Sequence, residues 1–227
     1  MIYLLLLGVL LLLILGPQLW VQQVMAKYNR HPEENFPGSG GELARHLLDR
    51  FDLHKVQVEK AESVDHYDPG DKAVRLSKDK LEGRTLTAIT TAAHEVAHAL
   101  QDAAEEPLFR WRTRLGSIAV GAQRLGSFLL FVAPILSIVT RAPAAGLLSA
   151  MAAFLVMGSN VVLQLATLPV ELDASFKKAL PLLKNGYLRP EQYRGAEKIL
   201  RAAAFTYLSA SLAGLLNFWQ WMRVLKR

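Results

Sequence analysis

The stretch that decides the fold lies between residues 86 and 104 and reads LTAITTAAHEVAHALQDAA. Its composition and apolar periodicity predict a single helix over this range. Within it stands the motif H-E-x-x-H, made by His94, Glu95 and His98. Side chains four residues apart share one face of a helix, so both imidazoles can point at a single metal ion.

The motif also supplies a candidate proton acceptor. Glu95 stands beside the histidines, where it can take the proton of a zinc-bound water as that water attacks a peptide carbonyl, and later pass it to the leaving amine. We therefore predict one Zn²⁺ per chain and peptidase activity. The alternative is a zinc-binding membrane scaffold or sensor without turnover, in which Glu95 would have no task.

The residues before this helix predict a small α+β domain. Ser39 is a candidate N-cap in a glycine-rich entry, and a helix is expected from Glu42 to about Phe51. Val56–Val58 and Ala73–Leu76 alternate as strands do, and residues 65–71 have the composition of a turn. The H-E-x-x-H helix then follows the second strand.

Four apolar stretches flank this domain and indicate a membrane protein. They run from Ile2 to about Val21, from Ser127 to about Thr140, from Ala144 to about Val170 and from about Ala202 to Met222. About 20 helical residues cross a hydrocarbon core, a length that the second stretch does not reach, so it could be re-entrant. The first stretch could be a cleaved signal peptide, but it has no basic segment before it, and we favour a retained anchor.

Charge and composition restrict the partners and the orientation. The net charge is +6, but the basic residues mostly flank the apolar stretches, which argues against a nucleic-acid partner. They are densest after the first stretch and between the third and fourth, which places these segments in the cytoplasm; the basic tail at Arg223–Arg227 disagrees. The chain has no cysteine, which excludes thiolate ligands and thiol nucleophiles.

A third zinc ligand must come from a distant segment, because a catalytic site normally has three protein ligands and one open position. If the second and third apolar stretches both cross, residues 168–175 return to the side of His94. Pro169 suits the first turn of a helix, which places Glu171 in that turn at the membrane surface. Asp173 competes with Glu171 for the role. His66 is a further candidate, either as ligand or as a donor to the reacting oxyanion.

Longer motifs make a resemblance specific. They are D-H-Y-D-P at 65–69, V-R-L-S at 74–77, HEVAHALQ at 94–101, T-L-P-V-E-L-D-A-S at 167–175 and R-G-A-E-K-I-L-R-A-A-A-F-T-Y at 194–207. Together they resemble the neutral zinc metallopeptidases of the YugP-like membrane family, over nearly the whole chain. The resemblance implies a membrane-bound, zinc-dependent peptidase. It is also similar in plan to the gluzincin membrane endopeptidases that process prenylated or misfolded membrane proteins.

The resemblance also implies the roles of individual residues. In the gluzincin enzymes the third ligand is a glutamate on a later helix, which corresponds to Glu171. An aspartate four residues further on commonly supports the first histidine there, whereas this chain has Ser175 at that place and an aspartate at 173 instead. The implied ligands are His94, His98 and Glu171, with Glu95 as general base. The side chains expected to support the ligands or the transition state are His66, Tyr67, Asp173 and Ser175.

We therefore expect a mostly α-helical membrane protein, with about four transmembrane helices and a small zincin-like α+β domain. The expected parts are an anchor (1–22), a peptidase domain (23–117), a transmembrane pair (118–170), a ligand-bearing helix and connector (171–198), and a last transmembrane helix with a basic tail (199–227). The expected partners are the lipid bilayer and a protein or peptide substrate that is itself membrane-associated. The expected location is the plasma membrane of a bacterium, with the active site facing the cytoplasm.

Overall fold

The computed structural model describes residues 2–30 and 36–205, which are mostly helical with one three-stranded sheet. The helices are α1 (Ile2–Asn29), α2 (Gly40–Arg50), α3 (Lys78–Leu81), α4 (Leu86–Ala103), α5 (Pro107–Val139), α6 (Pro143–Leu172), a π-helical segment (Asp173–Ala179), α7 (Leu180–Lys184), a 3-10 turn (Pro190–Gln192) and α8 (193–205). The strands are β1 (Gln57–Lys60), β2 (His66–Asp68) and β3 (Ala73–Leu76). The chain divides into two compact units: of the described residues, one unit contains 16–30, 36–110 and 168–205, and the other contains 2–15 and 111–167.

The sheet has the order β1-β3-β2, with β3 parallel to β1 and antiparallel to β2. Val74 and Leu76 of the central strand are fully buried, because strand residues two apart share a face and this one lies against the core. The predicted strand at 73–76 is confirmed. The predicted turn at 65–71 contains a short strand instead, since residues 66–68 pair with β3.

Helix α2 begins at a cap that its sequence encodes. The Ser39 hydroxyl accepts from the backbone N–H of Glu42, and the Glu42 carboxylate accepts from the N–H of Ser39, which completes a capping box. Gly40 follows because a Cβ there would lie 2.4 Å from the carbonyl oxygen of Lys80. The cap predicted at Ser39 is confirmed, and the close approach lets α2 bury its apolar face.

Helices α5 and α6 carry the second and third apolar stretches. Helix α5 runs for 33 residues, about 50 Å at 1.5 Å per residue. Within the described part of the chain it is the one helix found long and apolar enough to cross a membrane. The stretch predicted at 127–140 is therefore the end of a longer helix, which starts at Pro107 because proline suits a first turn. The stretch predicted from 202 to 222 lies outside the described residues after 205.

One prediction about the end of the third stretch is wrong. Pro169 does not begin a new helix, because α6 continues through it to Leu172 and passes directly into the π-helical segment. Proline removes one backbone donor from a helix and strains it without forbidding it. Val170, which is 2% exposed, and the fully buried Glu171 follow Pro169, and their burial in the core favours the continued helix. Glu171 thus lies at the C-terminal end of α6.

Candidate metal centre

Helix α4 positions the two histidines of the motif. Its N-cap is Thr85, whose hydroxyl accepts from the N–H of Ala88. His94 and His98 lie one turn apart, with ring centroids separated by 4.7 Å, and both are almost fully buried. The neighbouring Ala93 and Ala97 are fully buried as well. Small side chains allow other elements to approach the helix closely around the two rings.

Glu171 meets both histidines from the end of α6. Its Oε2 lies 3.3 Å from Nε2 of His94 and 3.3 Å from Nε2 of His98. The three ligand atoms lie within 4.8 Å of one another, and all three residues are buried. The structure therefore brings together the three residues that the resemblance implied as ligands.

Ser175 approaches His94 from the π-helical segment. Its Oγ lies 3.2 Å from Nδ1 of His94 and donates to the carbonyl oxygen of Leu200 at 3.4 Å. Because the hydroxyl proton points to that carbonyl, the oxygen is left to accept from His94 Nδ1–H. Ser175 thus lies where it can support the first histidine, as the resemblance implied.

Gln101 makes the corresponding contact with His98. Its Oε1 lies 2.9 Å from His98 Nδ1, while its Nε2 donates to Asp173 Oδ2 at 2.9 Å and to the carbonyl oxygen of Val170 at 3.3 Å. Gln101 is not among the residues singled out from the sequence. The available signal was its place three residues after His98, which puts it on the same face of α4.

Asp173, the competing ligand, is held away from the group of three. Its Oδ2 also accepts from Lys178 Nζ at 2.5 Å, and Lys178 lies 2.9 Å from Glu106. Burial raises the pKa of the Asp173 carboxyl, but hydrogen bonds from Lys178 and Gln101 outweigh this and hold the pKa below its ordinary value. Asp173 is therefore an anionic anchor for Gln101.

The remaining predicted residues differ in their surroundings. Glu95 is 7% exposed, on the same helix as the two histidines. The Tyr67 hydroxyl donates to Asp102 Oδ2 at 2.7 Å; burial and this bond raise the pKa of Tyr67 well above its ordinary value, so it keeps its proton. His66 Nδ1 lies 2.8 Å from the carbonyl oxygen of Val64. His66 is not among the three residues of the group around Glu171.

The chemistry of this donor set fits a zinc ion. Ser175 Oγ accepts from Nδ1 of His94, and Gln101 Oε1 accepts from Nδ1 of His98. In a neutral imidazole whose Nδ1 carries the proton, Nε2 has a free lone pair for a metal. Two such lone pairs then face a carboxylate oxygen, an arrangement of acceptors that a cation between them stabilises. Two histidines and one glutamate, with a fourth position left for water or substrate, are a ligand set of catalytic zinc sites.

Comparisons with known proteins agree with this chemistry. A family model described as "Putative neutral zinc metallopeptidase" matches residues 3–226. A protein of Bacillus subtilis (strain 168) named "Putative membrane protease YugP" is 32% identical over 216 residues, which cover 92% of each chain. No solved structure matches the chain. The chain therefore belongs to the neutral zinc metallopeptidase family, and zinc is the metal that its buried group of two histidines and one glutamate can bind.

Proposed function

We propose that this protein is an integral membrane zinc-dependent endopeptidase, in which His94, His98 and Glu171 hold the metal and Glu95 is the general base. The observation that carries the proposal is the convergence of the three ligand atoms within 4.8 Å of one another, two of them on a helix that also bears Glu95. A non-catalytic scaffold needs the three ligands but does not need a general base such as Glu95.

The proposed chemistry assigns one proton transfer to Glu95. Zinc, when bound, polarises a carbonyl and lowers the pKa of water to about 7. The Glu95 carboxylate takes the proton from the water whose oxygen adds to the peptide carbonyl carbon. The same carboxyl then gives that proton to the amide nitrogen as the carbon–nitrogen bond breaks, so Glu95 ends the cycle ionised as it began.

A membrane setting is supported by the long apolar helices and by the name of the relative. Helix α5 is long and apolar enough to span, and the relative is named a membrane protease. We propose about four spans, with the domain boundaries expected from the sequence, and the site on the cytoplasmic side of a bacterial plasma membrane. Glu171 comes directly after the apolar stretch at 144–170, which favours membrane-associated proteins as substrates and the bilayer as a partner.

The test compares wild type with Glu95→Gln, using full-length protein in detergent. We expect Glu95→Gln to keep one zinc per chain, and to cleave a membrane-tethered peptide about 10²–10⁴-fold more slowly, because general base catalysis contributes that much. Glu62→Gln makes the same change at an exposed glutamate and is expected to cleave like wild type.

Two results would contradict the proposal in different ways. Zinc binding with no cleavage by wild type, or with cleavage that Glu95→Gln leaves unchanged, would indicate the scaffold or sensor. Equal cleavage of a soluble peptide and of its membrane-tethered form would overturn the substrate class alone.

A further inference from the structure

Gln101 is a buried polar side chain beside His98 whose amide is hydrogen-bonded at both ends. It is 1% exposed and bridges helix α4 to the segment around Asp173. Its Nε2 donates to the carboxylate of Asp173 and to the carbonyl oxygen of Val170, and its Oε1 faces His98. A buried amide with bonds on both of its ends has one orientation, because rotation by 180° would oppose like groups.

The two partners of Nε2 determine that orientation. The carbonyl oxygen of Val170 can only accept, so it requires the NH₂ end of the amide. The oxygens of Asp173 face other donors as well, with Lys178 Nζ 2.5 Å from Oδ2 and Lys177 Nζ 3.3 Å from Oδ1, so Gln101 also meets Asp173 through its NH₂ group. Oε1 of Gln101 must then point to His98, where it can only accept.

The orientation of Gln101 in turn determines the tautomer of His98. Nδ1 of His98 lies 2.9 Å from Oε1 and has to carry a proton to make this bond. In a neutral imidazole the other nitrogen is then unprotonated, so Nε2 presents its lone pair to the site shared with Glu171.

We propose that Gln101 is the positioning residue that fixes the tautomer and ring orientation of His98 for zinc, with Asp173 holding the amide in place. This inference rests on the proposed function, because it assumes that His98 Nε2 is a metal ligand. Residues that hold a ligating histidine in this way typically contribute 10–100-fold to metal affinity.

The alternative is that Gln101 only cross-links α4 to the end of α6. The two roles differ in what they change. A cross-link contributes to the stability of the metal-free fold and leaves zinc affinity alone, whereas a positioning residue changes zinc affinity in protein that is still folded.

The experiment measures zinc dissociation constants by chelator competition, on full-length protein in detergent. All variants carry Glu95→Gln, so that the measurement does not depend on turnover. Gln101→Met keeps the size of the side chain and removes both ends of the amide, and we expect zinc to bind about 10–100-fold more weakly. Gln101→Asn withdraws the amide by one methylene, and we expect about tenfold weaker binding from this milder change.

Gln192→Met is the matched control. Gln192 is also a buried glutamine, and its Oε1 accepts from the backbone N–H of Arg189 at 2.9 Å. Gln192→Met therefore removes a hydrogen bond of a buried glutamine, as Gln101→Met does, but this bond does not involve a histidine. We expect thermal unfolding of the metal-free protein to shift, and the zinc dissociation constant to stay as in the parent.

The outcomes separate the two proposals. If the parent binds no zinc at His94, His98 and Glu171, the proposed function fails. If the parent binds zinc and a folded Gln101→Met or Gln101→Asn binds it as tightly as Gln192→Met does, the positioning role alone is overturned. The Asn variant decides the matter if the Met variant does not fold.

Discussion

Helix α4 and the segment from Glu171 to Ala179 make the two halves of the metal centre in different ways. Helix α4 is a regular α-helix that presents His94 and His98 by their spacing alone. The other half begins at the end of α6 and continues as a π-helix, where Asp173 and Ser175 each reach a group on α4. The arrangement on α4 follows from local spacing along one helix. The other half contributes only because tertiary packing brings a distant segment against α4.

A π-helical stretch is rare and is found frequently at functional sites. Here it begins two residues after Glu171 and carries Ser175, which faces His94, and Asp173, which accepts from the Gln101 side chain beside His98. The local motif thus supplies two of the three candidate ligands, the end of α6 supplies the third, and the π-helical segment supplies contacts to His94 and Gln101. Three changes test this division of labour.

The largest effect is expected for Glu171→Gln. This change keeps the volume of a fully buried side chain and removes the anionic charge of the proposed third ligand. We expect zinc affinity to fall by more than about 100-fold, beyond the range typical of residues that only support a ligand. Asp173→Asn makes the same carboxylate-to-amide change two residues further on. We expect it to weaken zinc binding by about tenfold or less. Zinc content by mass spectrometry and chelator competition would measure both, and the reverse ranking would make Asp173 the ligand.

An intermediate effect is expected for Ser175→Ala, which removes the oxygen facing His94 Nδ1. We expect about tenfold weaker zinc binding, since the imidazole loses one orienting bond. Thr90→Val is the matched control, because within the described structure the Thr90 hydroxyl is buried and makes no hydrogen bond. Chelator competition on both proteins is the measurement. Equal affinities in the two variants would show that Ser175 does not orient the histidine.

The smallest effect on the metal centre is expected for Tyr67→Phe. The lost bond to Asp102 joins the sheet to the end of α4, and a hydrogen bond to a charged group contributes about 1.5–3 kcal/mol. We expect denaturant unfolding to show that loss, with zinc affinity and peptide cleavage unchanged. The Tyr187 hydroxyl makes a hydrogen bond with the exposed His46. We expect Tyr187→Phe to lower the free energy of unfolding by about 1 kcal/mol or less. Slower cleavage by folded Tyr67→Phe would instead make Tyr67 a donor to the transition state.

The sequence predicts the local half of the site better than the distant half. The helix bearing His94 and His98 follows from its own periodicity, and the cap at Ser39 from a short-range pattern. The choice between Glu171 and Asp173 stays open on spacing alone, because it depends on which carboxylate the tertiary packing turns towards α4. The role of Gln101 cannot be predicted from the sequence either, because it depends on tertiary packing against Asp173, which lies 72 positions away. The helix start predicted at Pro169 is wrong because the burial of the neighbouring Val170 and Glu171, and not the propensity of proline, decides that the helix continues.

The separation of the ligands along the chain has a consequence for biosynthesis. His98 and Glu171 are 73 positions apart, with α5 and most of α6 between them. A nascent chain therefore carries both histidines and Glu95 well before it carries the third ligand. Translation has to pass both long apolar helices before a complete zinc site can form. The order of synthesis thus delays completion of the candidate metal centre until both helices have been synthesised.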